Sequence, residues 1–203
     1  LPGQAATGAI PTTSTVTSSW PRSGWAGSKS SATRNRVNDP VNFAPAWTAE
    51  SDQAGFYPVE FGAALAAAGD VNGDGYGDVL VGAPHYSVDG GLFEGRAYLF
   101  LGSATGLAAT PAWTKVGADD GDLLGSSVSG AGDVNSDGYA DVLVAATVGG
   151  RAYLYLGSAA GLGLNAAWSV PGIRSSGAGD LNGDAFDDVL VTGSGPGGGG
   201  QVR

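Results

Sequence analysis

Short runs that alternate apolar and polar residues recur along this chain, and clusters of glycine, serine, asparagine and aspartate separate them. Between Arg96 and Leu101, alanine and leucine occupy every second position. Other runs, such as Asp78–Val81, are rich in β-branched residues and are bounded by turn-forming residues. Period-two alternation and β-branched runs predict strands, and no stretch of helical length shows apolar residues at helical spacing. The pattern therefore predicts an all-β protein with little helix.

Three segments of the chain repeat the same order of elements. Residues 61–84, 124–147 and 173–194 each hold a glycine-rich run, an aspartate-rich loop and a β-branched run. The sequences GRAYLFLGSATGL at 95–107 and GRAYLYLGSAAGL at 150–162 follow the first two segments. Repeats of this length favour one small sheet of four short strands per repeat, or about three such sheets in the chain.

The N-terminal segment, residues 1–40, differs from the repeat region, residues 41–203. It is rich in serine, threonine, proline and glycine, most densely at Pro11–Ser19. Such a composition is typical of a disordered linker. Threonine and valine also favour extended backbone, so a polar strand that is donated to a neighbour is the second interpretation.

Composition excludes several classes of site. The chain of 203 residues has no cysteine and one histidine, His85, which excludes disulfides, thiolate catalysis and metal sites built from cysteine or several histidines. No apolar run has the length of a membrane span. The net charge is −10, and all 19 acidic residues lie after residue 38. An acidic body disfavours nucleic-acid binding and suits a cation.

The acidic residues are concentrated in three nine-residue loops of the pattern D-x-N-x-D-(G/A)-(Y/F)-x-D, which we call loop 1 (70–78), loop 2 (133–141) and loop 3 (180–188). Nine of the 19 acids occupy positions 1, 5 and 9 of these loops. Three carboxylates within nine residues repel one another unless a cation neutralises them. Ligation by oxygen alone selects Ca²⁺ over zinc, and flexible ligation by about six or seven oxygens favours Ca²⁺ over Mg²⁺.

The candidate metal ligands are the side chains at positions 1, 3, 5 and 9 and the backbone carbonyl at position 7. They are Asp70, Asn72, Asp74, Tyr76 and Asp78 in loop 1; Asp133, Asn135, Asp137, Tyr139 and Asp141 in loop 2; and Asp180, Asn182, Asp184, Phe186 and Asp188 in loop 3. Loop 3 is expected to bind most weakly, because Ala185 replaces the glycine that permits the tight turn. Asp187 adds a carboxylate that partly compensates.

The loop pattern has two other interpretations. Aspartate, asparagine and glycine also form simple turns, but three copies in register favour a metal site. An EF-hand or dockerin loop needs an acidic ligand at position 12 followed by a helix. Position 12 is Val81, Val144 or Val191, inside predicted strands, which argues against both.

The loops and their flanking sequences resemble the FG-GAP repeat family, which is found in the head of integrin α-subunits and in many secreted bacterial proteins. Phe61-Gly62 and Gly82-Ala83-Pro84 supply the two sequence tags around loop 1. The second copy departs from the tags with Leu124-Gly125 and Ala145-Ala146-Thr147, and the third departs further with Thr192-Gly193-Ser194. The resemblance covers residues 43–203.

This resemblance implies a β-propeller fold with propeller-type blades, here as an incomplete propeller or open array. It also implies Ca²⁺ in the loops, an extracellular setting, secreted or at the cell surface, and a role in adhesion or ligand binding. In that family the metal loops are mainly structural, and the ligand surface lies on other loops.

Several residues outside the loops attract attention but favour structural roles. Trp47, Trp113 and Trp168 recur at one repeat position, which indicates packing between sheets. Arg96 and Arg151 recur as well, and His85 has no accompanying nucleophile or paired base. We predict no catalytic residues and no organic cofactor, so the chain is expected not to be an enzyme.

The leading hypothesis is a non-enzymatic, extracellular, calcium-binding module that binds a protein or glycan partner. The alternative is a structural subunit that assembles with copies of itself into a fibre or surface layer by donating the strand around Thr12–Ser19. A third hypothesis is a secreted enzyme whose catalytic part lies outside this sequence.

Overall fold

The computed structural model describes residues 31–34, 47–53, 58–88, 92–194 and 200–202, and these residues form strands and turns with no helix. The strands are β1 (Ser31–Arg34), β2 (Trp47–Glu50), β3 (Ala64–Gly69), β4 (Asp78–Ala83), β5 (Arg96–Phe100), β6 (Trp113–Val116), β7 (Leu124–Gly132), β8 (Asp141–Ala146), β9 (Arg151–Tyr155), β10 (Trp168–Pro171), β11 (Arg174–Gly179), β12 (Asp188–Ser194) and β13 (Gly200–Val202). The prediction of an all-β chain is confirmed.

Each repeat forms its own antiparallel sheet. The first sheet has the order β3-β4-β5-β6 and the second the order β7-β8-β9-β10. The third sheet has the order β11-β12-β13, and β1 and β2 form a two-stranded N-terminal sheet. Neighbouring strands in the sequence are therefore neighbours in space, which is the arrangement of propeller blades. The sheets form an array that does not close into a ring within the described residues, as the sequence predicts.

The first strands of the three sheets pack side by side, β3 against β7 and β7 against β11. They are built mainly of alanine, glycine and serine, which leaves the backbones free to approach. A Cβ atom added at Gly130 would lie 2.7 Å from the carbonyl oxygen of Ala67, and one added at Gly177 would lie 2.6 Å from that of Gly130. Any larger side chain at these two positions would push the sheets apart.

The apolar core lies between the sheets, so the middle strands of a sheet are buried on both faces. The core between the first and second sheets includes Leu80, Leu99, Trp113, Val142, Val144 and Tyr155. The core between the N-terminal and first sheets includes Ala49, Phe61, Val81, Tyr98 and Phe100. The alternation seen in the sequence thus divides β5 between two cores, and fully burying one such large side chain stabilises the fold by about 1.5–3 kcal/mol.

The glycine tags explain how the sheets meet. Gly82, in the tag after loop 1, lies so close to Gly125 of the next sheet that a Cβ atom at Gly82 would overlap the Gly125 carbonyl oxygen. Gly125 has a φ of 84°, which is the left-handed region where glycine is favoured. The second tag of the first repeat and the first tag of the second repeat are therefore the two sides of one backbone contact.

Two strands were not part of the sequence prediction. Ser31–Arg34 pairs with Trp47–Glu50 of the same chain, and β13 pairs with Thr192–Ser194 as a third strand of the third sheet. The stretch Thr12–Ser19, on which the strand-donation hypothesis depends, lies outside the described residues.

Candidate metal loops

The aspartate at position 9 fixes the start of each loop. Asp78, Asp141 and Asp188 each accept a hydrogen bond from the backbone N–H at position 2, at 2.9 Å in all three loops. The second carboxylate oxygen of Asp78 accepts the N–H of Gly102 at 2.8 Å, and that of Asp141 accepts the N–H of Gly157 at 2.8 Å.

These two position-9 carboxylates are buried, with relative exposures of 1% for Asp78 and 0% for Asp141. Burial raises the pKa of both groups, although the backbone hydrogen bonds act in the opposite direction. The negative charges at positions 5 and 1 of the same loop add a smaller increase to each pKa. Each of these two carboxylates therefore joins its loop to the turn after the third strand of its sheet. Each also lies near the two other aspartates of its loop.

The aspartate at position 1 gathers the backbone of its loop. Asp70 accepts hydrogen bonds from the N–H groups of Gly73, Asp74 and Gly75, at 2.8, 3.1 and 2.7 Å. The equivalent bonds to Asp133 come from positions 5 and 6, and those to Asp180 from positions 4, 5 and 6. In loop 3 these bonds, led by the one from the Ala185 N–H, lower the pKa of Asp180.

Positions 3, 5 and 7 complete the loop. The asparagine at position 3 donates its side-chain N–H to the aspartate at position 5 at 3.0, 2.9 and 3.0 Å in loops 1, 2 and 3. That aspartate also accepts the backbone N–H of Tyr76, Tyr139 or Phe186, at 3.0 Å in every loop. The loops therefore share one backbone shape, and loop 3 keeps it despite its departures in sequence.

Position 6 shows the cost of the alanine in loop 3. Gly75 and Gly138 have φ values of 87° and 90°, and Ala185 has a φ of 72°. The left-handed conformation costs a residue with a Cβ atom roughly 1–2 kcal/mol. The sequence predicts that Ala185 disfavours this conformation. In the structure Ala185 nevertheless adopts it, as the glycines of loops 1 and 2 do.

The three loops lie at one edge of the sheets, and each contacts the next. The backbone N–H of Ala140 in loop 2 donates to the carbonyl of Asp70 in loop 1 at 2.9 Å. The N–H of Asp187 in loop 3 donates to the carbonyl of Asp133 in loop 2 at 3.1 Å. A Cβ atom at Gly73 would lie 2.7 Å from the ring of Tyr139, so that ring lies over loop 1.

The donor chemistry of the loops fits a hard cation, because each presents three carboxylates and an amide within nine residues and no nitrogen or sulfur ligand. The structure places these oxygens in hydrogen bonds with the loop itself. Among the described residues, no three acidic or histidine side chains converge as a ready-made cage. Cation binding would therefore require side-chain rotation on a backbone that already has the turn.

Residues outside the loops make structural contacts. Arg96 pairs with Asp52 at 2.9 Å and lies over the rings of Tyr86 and Tyr98, at 4.7 and 4.9 Å from their centroids. His85 lies 3.4 Å from Glu60.

The recurring tryptophans differ in exposure. Trp113 is 6% exposed and packs against Tyr155, whereas Trp168 in the second sheet is 43% exposed. Trp47 packs edge-on against Phe100 and donates its indole N–H to the carbonyl of Ala108 at 2.8 Å. Packing between sheets therefore describes Trp47 and Trp113 well, and Trp168 less so.

Sequence reasoning missed three participants in the loops. Gly102 and Gly157 take part through backbone N–H groups, and their signal in the sequence is that glycine recurs at this position of GRAYLFLGSATGL and GRAYLYLGSAAGL. A Cβ atom at either position would lie 2.4 Å from a backbone carbonyl oxygen. The sequence suggests Asp187 as a compensating carboxylate for loop 3. In the structure its Oδ2 accepts the backbone N–H of Asp133 in loop 2 at 2.8 Å. Two features of the sequence could have indicated this contact: the extra carboxylate at Asp187, and the glycine at position 132, which leaves room for it.

Comparison with known proteins identifies two stretches of the chain. Residues 61–100 match the FG-GAP repeat family, and residues 133–191 match the FG-GAP-like repeat family. No part of the described chain forms a helix that would cross a membrane.

Curated relatives are integrin α-subunits. Integrin alpha-PS2 of Drosophila melanogaster is 36% identical over 116 residues, which are 54% of this chain and 8% of that protein. Integrin alpha-IIb of Mus musculus is 43% identical over 103 residues, 46% of this chain and 10% of that protein. Integrin alpha-3 of Cricetulus griseus is 37% identical over 116 residues, 56% of this chain and 11% of that protein.

The chain thus spans about a tenth of the length of the curated relatives it matches. The two matched stretches include loops 1, 2 and 3. Residues 61–100 and 133–191 are therefore FG-GAP-type repeats, similar to those of integrin α-subunits.

Proposed function

We propose that this chain is a non-enzymatic, extracellular binding module whose stacked sheets are stiffened by Ca²⁺ in loops 1, 2 and 3. The observation that supports it most is the repetition of one loop geometry in three sheets, each with carboxylates at positions 1, 5 and 9. Three like charges held within one turn are costly without a counter-ion. The integrin α relatives make a role in adhesion the natural function for such repeats.

The cation would be held by the side chains at positions 1, 3, 5 and 9 and by the carbonyl at position 7. A bound Ca²⁺ supplies charge neutralisation and cross-links the turn. The position-9 aspartates of loops 1 and 2 already connect these loops to the rest of their sheets through Gly102 and Gly157. Ordering of the loop by a cation would therefore be transmitted to the sheet.

An enzymatic role has little support in the loops. Glycoside hydrolysis needs one special pair of carboxylates in one cleft, whereas these carboxylates recur with every repeat. Their oxygens accept hydrogen bonds from their own loops and, for Asp78 and Asp141, from the neighbouring turns, which is the behaviour of structural groups.

The partner surface is proposed at the edge opposite the loops, where β4 connects to β5, β6 to β7 and β8 to β9. This edge exposes Leu92 (64%) and Val148 (67%). Its connections are tied together, because the carbonyl of Asp122 accepts the N–H groups of Val148 and Gly149 at 3.3 and 3.2 Å. Exposed apolar side chains on interlinked loops are suited to contact with a protein or glycan.

Chelation tests the calcium part of the proposal. Thermal unfolding of the whole chain with Ca²⁺, with excess chelator, and with Mg²⁺ in place of Ca²⁺ should give a clearly higher Tm with Ca²⁺. Equal melting temperatures in all three conditions would contradict the proposal.

Binding to a panel of immobilised extracellular proteins and glycans tests the partner surface. Leu92→Lys with Val148→Lys should abolish binding that the unchanged chain shows. Leu164→Lys is the matched control, because Leu164 is also exposed (77%) but lies in the connection between β9 and β10, at the loop edge. Loss of binding in the control alone would place the partner at the loop edge instead.

A further inference from the structure

Loops 2 and 3 are joined more tightly than loops 1 and 2. The N–H of Asp133 donates to Oδ2 of Asp187 at 2.8 Å, and the N–H of Asp187 donates back to the carbonyl of Asp133 at 3.1 Å. Asp187 therefore holds both backbone polar groups of the residue at position 1 of loop 2. A third bond runs from the hydroxyl of Ser136 to the carbonyl of Ala185 at 3.0 Å.

The same place between loops 1 and 2 is occupied by Ala140. Its N–H reaches the carbonyl of Asp70, as that of Asp187 reaches Asp133, but its methyl group cannot accept a hydrogen bond. Space for the carboxylate comes from the residue before position 1. A Cβ atom at Gly132 would overlap the Asp187 carboxylate, so this glycine leaves the room that the contact needs.

We propose that Asp187 is a positioning residue that holds Asp133 of the neighbouring sheet, and that it couples cation binding in loops 2 and 3. The inference rests on the proposed calcium function. Asp187 lies between Phe186 and Asp188, the candidate ligands at positions 7 and 9 of loop 3. Fixing these two residues fixes Asp187, and Asp187 in turn fixes the backbone of Asp133, a candidate ligand of loop 2. Coupling of this kind must act in both directions.

Each loop offers its own reporter for an NMR titration of the whole chain with Ca²⁺. The amides of Gly75, Gly138 and Ala185 donate to the position-1 carboxylates of loops 1, 2 and 3, at 2.7, 2.7 and 2.9 Å. Asp187→Ala should weaken Ca²⁺ binding reported by Gly138 by roughly tenfold, the size expected for loss of a hydrogen bond to a charged group. Asp187→Asn keeps an acceptor oxygen and should largely restore it.

The coupling is tested by removing a candidate ligand of loop 3. Asp184→Ala should weaken the affinity reported by Gly138 when Asp187 is present and leave that affinity unchanged in the Asp187→Ala background. Asp120→Ala controls for net charge, because Asp120 is an exposed acid at the opposite edge. Equal weakening by Asp187→Ala and Asp120→Ala would overturn the proposal.

Hydrogen exchange without Ca²⁺ gives a readout that does not depend on the metal. Asp187→Ala should speed exchange of the Asp133 amide by about tenfold or more and leave that of Val134, which is bonded to Asp141, unchanged. Ala140→Asp should create the equivalent contact and slow exchange of the Asp70 amide.

The failures of the two proposals are distinguishable. If the unchanged chain binds no Ca²⁺, the proposed function and the coupling both fail. If it binds Ca²⁺ but the Asp133 amide and the Gly138-reported affinity are insensitive to Asp187→Ala, the inference about Asp187 alone is wrong.

Discussion

Two single residues adopt a conformation or an environment that their residue type disfavours. Ala185 is held in the left-handed region by a loop whose other two copies use glycine. Tyr155, 1% exposed and edge-on to Trp113, keeps its hydroxyl group in an apolar core. Both residues show the loop or the core prevailing over the preference of the individual side chain.

Replacing Ala185 with glycine should stabilise the chain by about 1 kcal/mol, because glycine adopts a positive φ without strain. Chemical denaturation measures the difference. Ala160→Gly is the control, since Ala160 is exposed and its φ is not positive. That change should be neutral or slightly destabilising, and a gain of stability in both variants would contradict the role assigned to φ.

Tyr155 should make the fold sensitive to strong alkali. Burial, with a smaller effect of Tyr153, raises its pKa from 10.0 to about 12. The neutral phenol is thus favoured in the folded state, and its contribution to stability is complete below about pH 10 and is lost as pH rises towards 12. Tyr155→Phe should flatten the fall in stability over that window. Unfolding curves at several alkaline pH values decide the matter.

Elements are joined in this chain by contacts to backbone groups as well as by the apolar cores. The position-9 aspartates of loops 1 and 2 connect the first hairpin of their sheet to the turn that follows its third strand, and the glycine tags bring the first and second sheets into contact. The loops are therefore part of the framework of the sheets and not appendages to it.

Asp78 and Asp74 should differ in how their removal depends on calcium. Asp78→Ala leaves the N–H groups of Val71 and Gly102 without their acceptor and should cost about 3 kcal/mol even in chelator, with a further loss in Ca²⁺ because a candidate ligand is removed. Asp74→Ala should cost much less in chelator and mainly remove part of the stabilisation by Ca²⁺. Denaturation of both variants in the two conditions tests this, and equal costs in chelator would be against it.

The sequence predicts the strands and loops well because the same local pattern occurs three times, and local patterns determine strands and turns. The tags around loop 1 are recognisable in the sequence, but their role at a sheet boundary could not be predicted from it. The amides of Gly102 and Gly157, the contact of Asp187 with Asp133 and the pairing of Ser31–Arg34 could not be predicted either. Each depends on residues brought together from distant positions, and a backbone N–H looks the same in every residue.

At the scale of the whole molecule, the sheets are unequally covered. Leu80 and Leu143 occupy equivalent positions in the first and second sheets and are fully buried, because the following sheet covers each of them. The equivalent residue of the third sheet, Leu190, is 40% exposed. Among the described residues, no sheet lies over that face of the third sheet.

Backbone amides should therefore exchange fastest in the third sheet. Amides of β4 and β8 should be protected to nearly the same degree, and those of β12 should be protected much less, because local opening there exposes little additional apolar surface. Hydrogen exchange followed by mass spectrometry would measure this gradient. Equal protection of β8 and β12 would mean that coverage between sheets does not limit opening.

The contact of Gly82 with Gly125 has a consequence for how such chains grow. Where two sheets meet through main-chain atoms, that part of the fit does not depend on a matched pair of side chains. A gene segment that encodes one repeat can then be duplicated or exchanged, and the new copy has fewer side chains to match on its neighbour. The glycine pair itself is not a strict requirement, because Ala145 occupies the position of Gly82 in the second sheet. Sequence drift elsewhere in the repeat, such as the departures around loop 3, is tolerated during that process. A main-chain contact of this kind therefore favours growth of the chain by tandem duplication.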